Sequence, residues 1–319
     1  MVECTGESLL DLMICRIPGL KGRDRVELEK KFDTEVGFSL ISKKDIENIL
    51  GKALEGEWTM EQIRSMAEKD AASARKMGIC RVSWRESSYP PLLREIYDPP
   101  ALLFYRGVLS NPEKPLVAVV GTRKPSSQAA ERAFNLGREL GEEGLPVVSG
   151  LALGIDSMAH RGNLEAGSPT VAVLGSSLDN VYPSSNRDLA RRIIEGGGLI
   201  VSEYPPGTGP LKWNFPERNR IISALARGTV VVEAPEKSGA LITAKFALDQ
   251  GRDLWVDSVG LSSPRGKGTA LLAEDGAGVI SSADAILADW KLASKRSNFR
   301  SKEQKDSGIS MAEYLGIKL

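Results

Sequence analysis

The feature that most constrains how this chain can fold is a rhythm of short, β-branched, apolar runs. "LVAVV" at 116, "PVVSG" at 146, "TVAVL" at 170, "LIVSE" at 199, "TVVVE" at 229 and "DLWVD" at 253 alternate with helix-length segments. A strand apolar along its whole length is buried on both faces, and the intervening helices supply the crossovers that parallel strands need. The expected fold class is therefore α/β, a doubly wound and mainly parallel sheet. Ligands of such sheets bind beyond the carboxyl ends of the strands. Functional residues are expected in the loops that follow these runs.

The flanks read differently. Leu9, Leu10, Met13, Ile14 and Ile17, and later Ile46, Ile49, Leu50, Ile63 and Met66, recur at helical spacing, which predicts a small all-helical domain ahead of the sheet. Within it "IPGLKGRDRVELEKKF" has a faint likeness to helix-hairpin-helix modules, although plain helical packing is the preferred reading. A Pro-rich linker, "SSYPPLLREIYDPPALLFYRG", follows. From about 290 the polar "KLASKRSNFRSKEQKDSG" lacks periodicity and reads as a tail disordered in part. The expected divisions are 1–82 (helical), 83–288 (α/β core) and 289–319 (tail).

With 42 basic and 42 acidic residues the chain is neutral, so nothing global steers it toward nucleic acid or an anionic membrane. Any polyanion site must be local. Cys4, Cys15 and Cys80 match no zinc or redox spacing and read as reduced thiols, and a single histidine, His160, excludes multi-histidine metal centres. No run approaches the ~20 apolar residues of a membrane span, and the acidic start lacks a signal peptide's basic leader. A cytoplasmic location with no membrane partner is expected.

The loops narrow the chemistry. After the first run, "GTRKPSS" (Gly121–Ser127) has one glycine where a dinucleotide site needs three. Gly121 would let the backbone approach a ligand, and Arg123 with a helix start near Ser126 would favour an anion; a capped turn with a solvated arginine is the plainer alternative. "SGLALGIDSMAH" sets Asp156 and His160 at i and i+4, and both read as structural. "GSSLDNVYPSSN" brings Asp179, Tyr182 and Asn186. In the longest loop, "EYPPGTGPLKWNFPERNR" ahead of an "IISALARG" helix, Lys212 to Arg220 hold two aromatics and three cations. "EAPEKSGALITAKFA" places Ser238 and Gly239 before a helix with Thr243 and Lys245, a second phosphate cradle. "GLSSPRGKGT" is no Walker A loop: Gly260 and Gly266 are one residue too far apart, and Gly268 replaces the magnesium-binding hydroxyl.

Taken in order, "GTR", "SGLALGID", "YPSSN", "SEYPPG", "FPERNRII", "VEA", "SGALITA" and "GKGTALLAEDGA", from about Tyr89 to Ala283, resemble the DNA-processing protein A family. The resemblance implies an extended Rossmann-like core that binds single-stranded DNA, dimerises through that core and loads the recombinase RecA in natural transformation. It implies no enzymatic activity, cofactor or metal. Carried over by motif, Gly121, Thr122 and Arg123 form the strand-tip element, Phe215 is the ring beside a base, Arg218, Asn219 and Arg220 form the RNR element, and Ser238 and Gly239 the second cradle. Lys212 and Lys245 are added from charge and position. Arg220 would alternatively be buried against Glu203 or Glu233, Asn219 would fix the backbone, and Trp213 would be either a second stacking platform or a lid over the core. The chain departs from the family at Ser176-Ser177, where a second glycine is common, and at "VDSVG", which lacks a Pro before the Gly. It also leaves no room for a winged-helix domain. The alternative function is a nucleotide-binding sensor or a phosphoribohydrolase-like enzyme using Glu233 or Glu236, against which the missing phosphate-loop glycines weigh.

Overall fold

A computed structural model describes residues 8–109 and 115–294. Five helices come first: α1 (Leu10–Arg16), α2 (Gly22–Lys31), α3 (Glu35–Ser39), α4 (Lys43–Leu50) and α5 (Met60–Lys76). Thr34, Ser42 and Thr59 cap α3, α4 and α5 by accepting a backbone N–H with their side chains. Next come β1 (Cys80–Ser83), α6 (Pro91–Arg94) and β2 (Leu102–Gly107).

The expected alternation then begins: β3 (Val117–Val120), α7 (Ser127–Glu142), β4 (Val147–Ser149), α8 (Ile155–Glu165), β5 (Val171–Leu174), α9 (Arg187–Glu195) and β6 (Leu199–Ser202). It continues with α10 (Asn214–Leu225), β7 (Gly228–Val231), α11 (Gly239–Asp249), β8 (Asp253–Asp257), α12 (Ser258–Ser262), α13 (Lys267–Glu274), β9 (Gly278–Ile280) and α14 (Ala283–Asp289).

All nine strands form one sheet in the order β1-β2-β6-β5-β4-β3-β7-β8-β9. The pairings from β6 to β9 are parallel, and β2 joins β1 and β6 antiparallel. The pleat sends alternate residues to opposite layers. Val117, Val119 and Val147 pack under α7 and α8, whereas Ala118, Val120 and Val148 share a cluster with Ile221, Ile222 and Ala244 of α10 and α11. The fold is thus doubly wound. β3 pairs with β4 on one side and β7 on the other, so the strand order reverses there and a crevice opens beyond its carboxyl end.

β1, β2 and β9 were not anticipated. β2 lies inside the stretch read as a Pro-rich linker, yet Leu102–Gly107 contains no Pro and alternates its contacts, with Leu102 and Phe104 in one cluster and Leu103 and Tyr105 in the other. The first cluster also holds Met13, Ile14, Phe38 and Ile63, so the opening helices pack on the sheet itself, and β1 straddles residue 82. At the other end Trp290 is buried edge-on against Trp255, its ring N–H donating to Asp253 at 2.7 Å, so ordered packing runs past 288. The tail expectation for 295–319 lies outside the described residues.

Two sequence expectations receive direct answers here. The α1–α2 turn spends its amides internally, Arg23 N–H donating to the Asp98 carboxylate (2.9 Å) and Lys21 N–H to Asp24 (2.9 Å), as plain packing requires. Among the cysteines, Cys15 is free and buried, its thiol pushed up to about 11 by burial. Cys80 is disulfide-bonded, which corrects the reading of three reduced thiols, and Cys4 lies outside the described residues.

Glu29 on α2 is buried with neither carboxylate oxygen hydrogen-bonded. Burial, reinforced by Asp11 and Glu86 and opposed by Arg85, pushes its pKa up to about 8. A folded-state pKa above the unfolded value means that the folded protein binds this proton more tightly. The favourable contribution is complete below the unfolded value and is lost as pH rises through about 8. Glu29→Gln should therefore match the parent near pH 4.5 and exceed it by roughly 4 kcal/mol at pH 8, read from denaturant midpoints at the two pH values.

Candidate nucleic-acid cleft

Beyond the carboxyl ends of β3, β4, β5 and β7 the loops enclose an open cleft of about 1110 Å³. Its lining collects Arg123 and Lys124 from the β3 loop, Lys212 ahead of α10, Arg218 on α10, Lys237 ahead of α11 and Arg265 from the α12–α13 turn, against one carboxylate, Asp156. In a chain that is neutral as a whole, this is a local excess of positive charge walled by protein, the arrangement that concentrates a polyanion. Arg123 is exposed and makes no hydrogen bond or ion pair among the described residues. Arg265 is braced, donating to the carbonyls of Lys124 (3.0 Å) and Pro125 (3.4 Å).

The cleft also has a ring to stack on. Phe215 is half-buried between the Tyr182 ring, 5.5 Å away and tilted 52°, and the Arg123 guanidinium, 5.7 Å from its centroid. Its place follows from α10, which begins at Asn214 rather than after Arg220. "NFPERNR" is therefore helix and not loop, because Pro216 is the third helical residue, where a backbone N–H has no intrahelical partner to lose. Helical phase then decides which side chains face the cleft. Phe215, Arg218, Asn219 and Ile222, at i, i+3, i+4 and i+7, all line it.

Beneath Phe215 lies Arg218, only 4% exposed. Its guanidinium donates to the carbonyls of Gly150 (2.8 Å) and Val173 and to the Asn219 side chain (3.2 Å). A Cβ on Gly150 would sit 2.6 Å from Arg218 Nη2, so glycine is what admits the arginine. Burial, reinforced by Arg123, lowers the Arg218 pKa to about 10, which leaves it cationic at neutral pH. The same burial raises the pKa of Asp156, which Arg218 opposes and which accepts from the backbone N–H groups of Gly150 (3.1 Å) and Ala152 (3.4 Å). Asn219 carries the chain of contacts to the α11 start, donating to the Gly239 carbonyl at 3.2 Å. His160 is fully buried and held neutral, its pKa lowered to about 3 by burial. The Thr170 hydroxyl donates to the Val147 carbonyl (2.7 Å), so it accepts from His160 Nδ1–H at 2.8 Å. That makes the ring structural, as expected, with Thr170 and not Asp156 as its partner.

Residues 81–291 match the family of DNA recombination-mediator protein A. The chain belongs to that family. A DNA processing protein DprA of Bacillus subtilis is 36% identical over 280 residues, which span 86% of this chain and 93% of the relative. The X-ray structure of DNA processing protein A from Streptococcus pneumoniae superposes with a TM-score of 0.73 at 35% identity, covering 89% of this chain and 98% of that one. DNA processing protein A from Helicobacter pylori, whose structure concerns a single-stranded DNA binding mode, gives a TM-score of 0.59 at 30% identity over 66% of this chain and 95% of that one.

Of the site residues singled out from sequence, Gly121, Thr122, Arg123, Lys212, Phe215, Arg218, Asn219, Ser238 and Gly239 all line this cleft. Two do not. Arg220 points to the other side of α10, buried at 7% exposure, with Nη2 2.8 Å from Glu203 and Nε 3.4 Å from Asp98. It is thus paired within the core, against Glu203 and not Glu233. Lys245 is exposed two turns along α11, on an adjoining depression with Glu236 and Asp249 that meets the cleft at Ser238 and Gly239. Other expectations change in detail. Arg218 lies under the cleft surface, since its fork is consumed by carbonyls. Asn219 fixes backbone. Gly121 admits Ile155 and the Glu233 carbonyl, 2.5 and 2.9 Å from a would-be Cβ, more than any ligand. The helix start at Ser126 already has its anion: the buried Glu233 carboxylate accepts from Ser126 N–H (2.8 Å), Ser126 O–H (2.8 Å) and the Ser263 hydroxyl. Glu233 is thereby engaged, and Glu236 pairs at the surface with Lys267 at 2.7 Å.

The α11 start remains open: no atom lies within 4 Å of a Cβ built on Gly239. Lys124, Lys237 and Arg265 join the lining without having been singled out, and Tyr182 gains a role beside Phe215. Trp213 is 62% exposed, which removes it from the lid reading. Among the described residues no group of three or more His, Cys, Asp or Glu is placed to hold a metal ion, and no helix is long and apolar enough to cross a membrane.

Proposed function

We propose that this chain is a non-enzymatic single-stranded DNA-binding protein that protects exposed strands and loads RecA, working in the cytoplasm as a homodimer joined through the Rossmann-like core. The observation that carries the reading is the cleft at the strand-order reversal, where cations surround a half-buried ring in an otherwise neutral chain. Cations that track phosphates and rings on which bases stack are the two parts of a sequence-tolerant single-strand site, each stack worth about 1–3 kcal/mol. The α11 start adds the Gly239 N–H for a phosphate, those of Ser238 and Ala240 being taken by the Pro235 carbonyl and the Ser238 hydroxyl. Family membership supports the RecA and dimer parts, and the Helicobacter pylori relative's single-strand binding supports the choice of nucleic acid.

Arg123, Lys212, Phe215, Thr122, Ser238 and Gly239 take direct roles in this reading, with Lys124, Lys237, Arg265 and Tyr182 added, while Gly121 shapes the β3 turn that carries Arg123. Arg218 and Asn219 support the surface from below. Lys245 serves an emerging strand at most, and Arg220 holds α10 in place. Base identity carries little weight, because phosphate contacts and stacking read no sequence. The test is anisotropy of a labelled oligothymidine, competed with duplex of equal length across a salt series. Preference for the single strand is expected, with affinity falling linearly in log salt at a slope of about −0.7 per phosphate contacted. Absence of binding to either form at low salt would overturn the reading.

A further inference from the structure

Glu233, just past the end of β7, is fully buried, and its contacts converge on the β3 loop. Its backbone carbonyl accepts from Thr122 N–H (2.7 Å), one residue ahead of Arg123, and its carboxylate accepts from Ser126 N–H (2.8 Å) and Ser126 O–H (2.8 Å), one residue past Pro125. A single residue thus fastens both ends of Arg123-Lys124-Pro125, the segment whose two cations are exposed.

The same carboxylate reaches further. It accepts from the Ser263 hydroxyl in the α12–α13 turn, and Arg265 of that turn donates back to the Lys124 (3.0 Å) and Pro125 (3.4 Å) carbonyls. The middle of the β3 loop is therefore braced by a segment that Glu233 itself ties down. Left to itself the loop has little to hold it, since Lys124 N–H turns to its near neighbour Thr122 Oγ1 (3.2 Å) and the Arg123 side chain has no hydrogen bond or ion pair among the described residues. A loop that must be ordered on binding loses affinity, and one held beforehand does not. Because three donors and the α7 start are turned onto Glu233, its charge is compensated inside the fold.

We infer that Glu233 is a positioning residue for strand binding, holding the β3 loop so that Arg123 and Lys124 reach into the cleft without itself touching the strand. The inference rests on the reading of the cleft as a single-strand site. The acid acts through its bonds to Ser126 and Ser263, so its effect passes through the β3 loop and leaves Lys212, ahead of α10, untouched.

Glu233→Gln in the full-length protein tests this: it keeps the volume but turns amide N–H groups toward donors, so it loosens the ties to Ser126 and Ser263. Without DNA, hydrogen exchange of the amides between Thr122 and Ser126 should quicken about tenfold or more while the rest of the sheet keeps its protection. Oligothymidine affinity should fall about 5- to 20-fold, and on the Arg123→Ala background the same change should cost about twofold or less, whereas with Lys212→Ala the two losses should multiply. Mere loss of stability would raise exchange throughout and multiply in both backgrounds, which overturns the inference. Ser126→Ala, which spares the buried acid, should repeat the pattern more weakly and stands in if Glu233→Gln does not fold. If the parent binds no strand, or Arg123→Ala costs nothing, the reading of the cleft falls and this inference with it. If Arg123→Ala weakens binding while exchange and affinity stay unchanged in these variants, the inference falls alone.

Discussion

Arg123→Ala is expected to weaken binding of the labelled oligothymidine about 10- to 100-fold at moderate salt, since one exposed cation and one partner of the stacking ring are lost together. The arginine reaches into the cleft with no internal partner to hold it, and its guanidinium lies 5.7 Å from the Phe215 centroid. It can therefore meet a phosphate while keeping one face of the ring defined, a cation–π contact worth ~0.5–1 kcal/mol at exposed sites. The salt series separates the two parts. Loss of a phosphate contact flattens the slope of log affinity against log salt by about 0.7, whereas Phe215→Ala should lower affinity with little change in slope. Thermal stability should stay within about 0.5 kcal/mol of the parent in Arg123→Ala, because an exposed side chain without internal bonds is removed. Unchanged affinity and slope in Arg123→Ala would remove the β3 loop from the site.

Different physical signals made some features of this chain legible in sequence and hid others. The six central strands could be read because burial on both faces demands apolar runs, as in "VAVV" and "VVV", and these recur at intervals that leave room for a helix between them. β9 is three residues long with two exposed, so it lacks the pattern, whereas β2 carries it in "LLFY" but sits just behind the prolines at 99 and 100, which made the stretch read as a linker. The cleft's composition was visible in "KWNFPERNR", but its geometry was not, because Pro216 suggested a loop. Had the proline been placed in a first helical turn, the i, i+3, i+4, i+7 set of Phe215, Arg218, Asn219 and Ile222 would have separated the cleft-facing residues from Arg220. What no local pattern announces is long-range pairing. Glu233, at the tip of β7, caps a helix whose Ser126 stands 107 positions earlier, and the Arg218 fork closes on carbonyls of β5 and of the loop after β4. Charge in the sequence is not exposure in the fold, and arginines two residues apart can have unrelated tasks.

Arg218→Ala is the sharper test of that distinction. Removing the guanidinium strips the Gly150 and Val173 carbonyls of a donor and leaves Asp156 buried without its nearby cation. Breaking buried charge compensation from one side costs about 3–5 kcal/mol. At about 2–4 °C per kcal/mol for larger domains, the Tm should drop by roughly 6–20 °C. Arg220→Ala should be comparably destabilising, since it abandons the buried Glu203 carboxylate. If Arg218 were instead a surface contact for DNA, its alanine variant would keep the parent's Tm and lose affinity, the behaviour expected of Arg123. Arg218→Lys discriminates further: an ammonium restores the charge opposite Asp156 but lacks the planar fork that serves two carbonyls and Asn219 at once. It should regain part of the stability while leaving the Asn219 link to Gly239 loose, so that strand binding recovers less than Tm does. Equal recovery of both would mean that the charge alone matters at this position and that the fork's bonds to Gly150, Val173 and Asn219 are incidental.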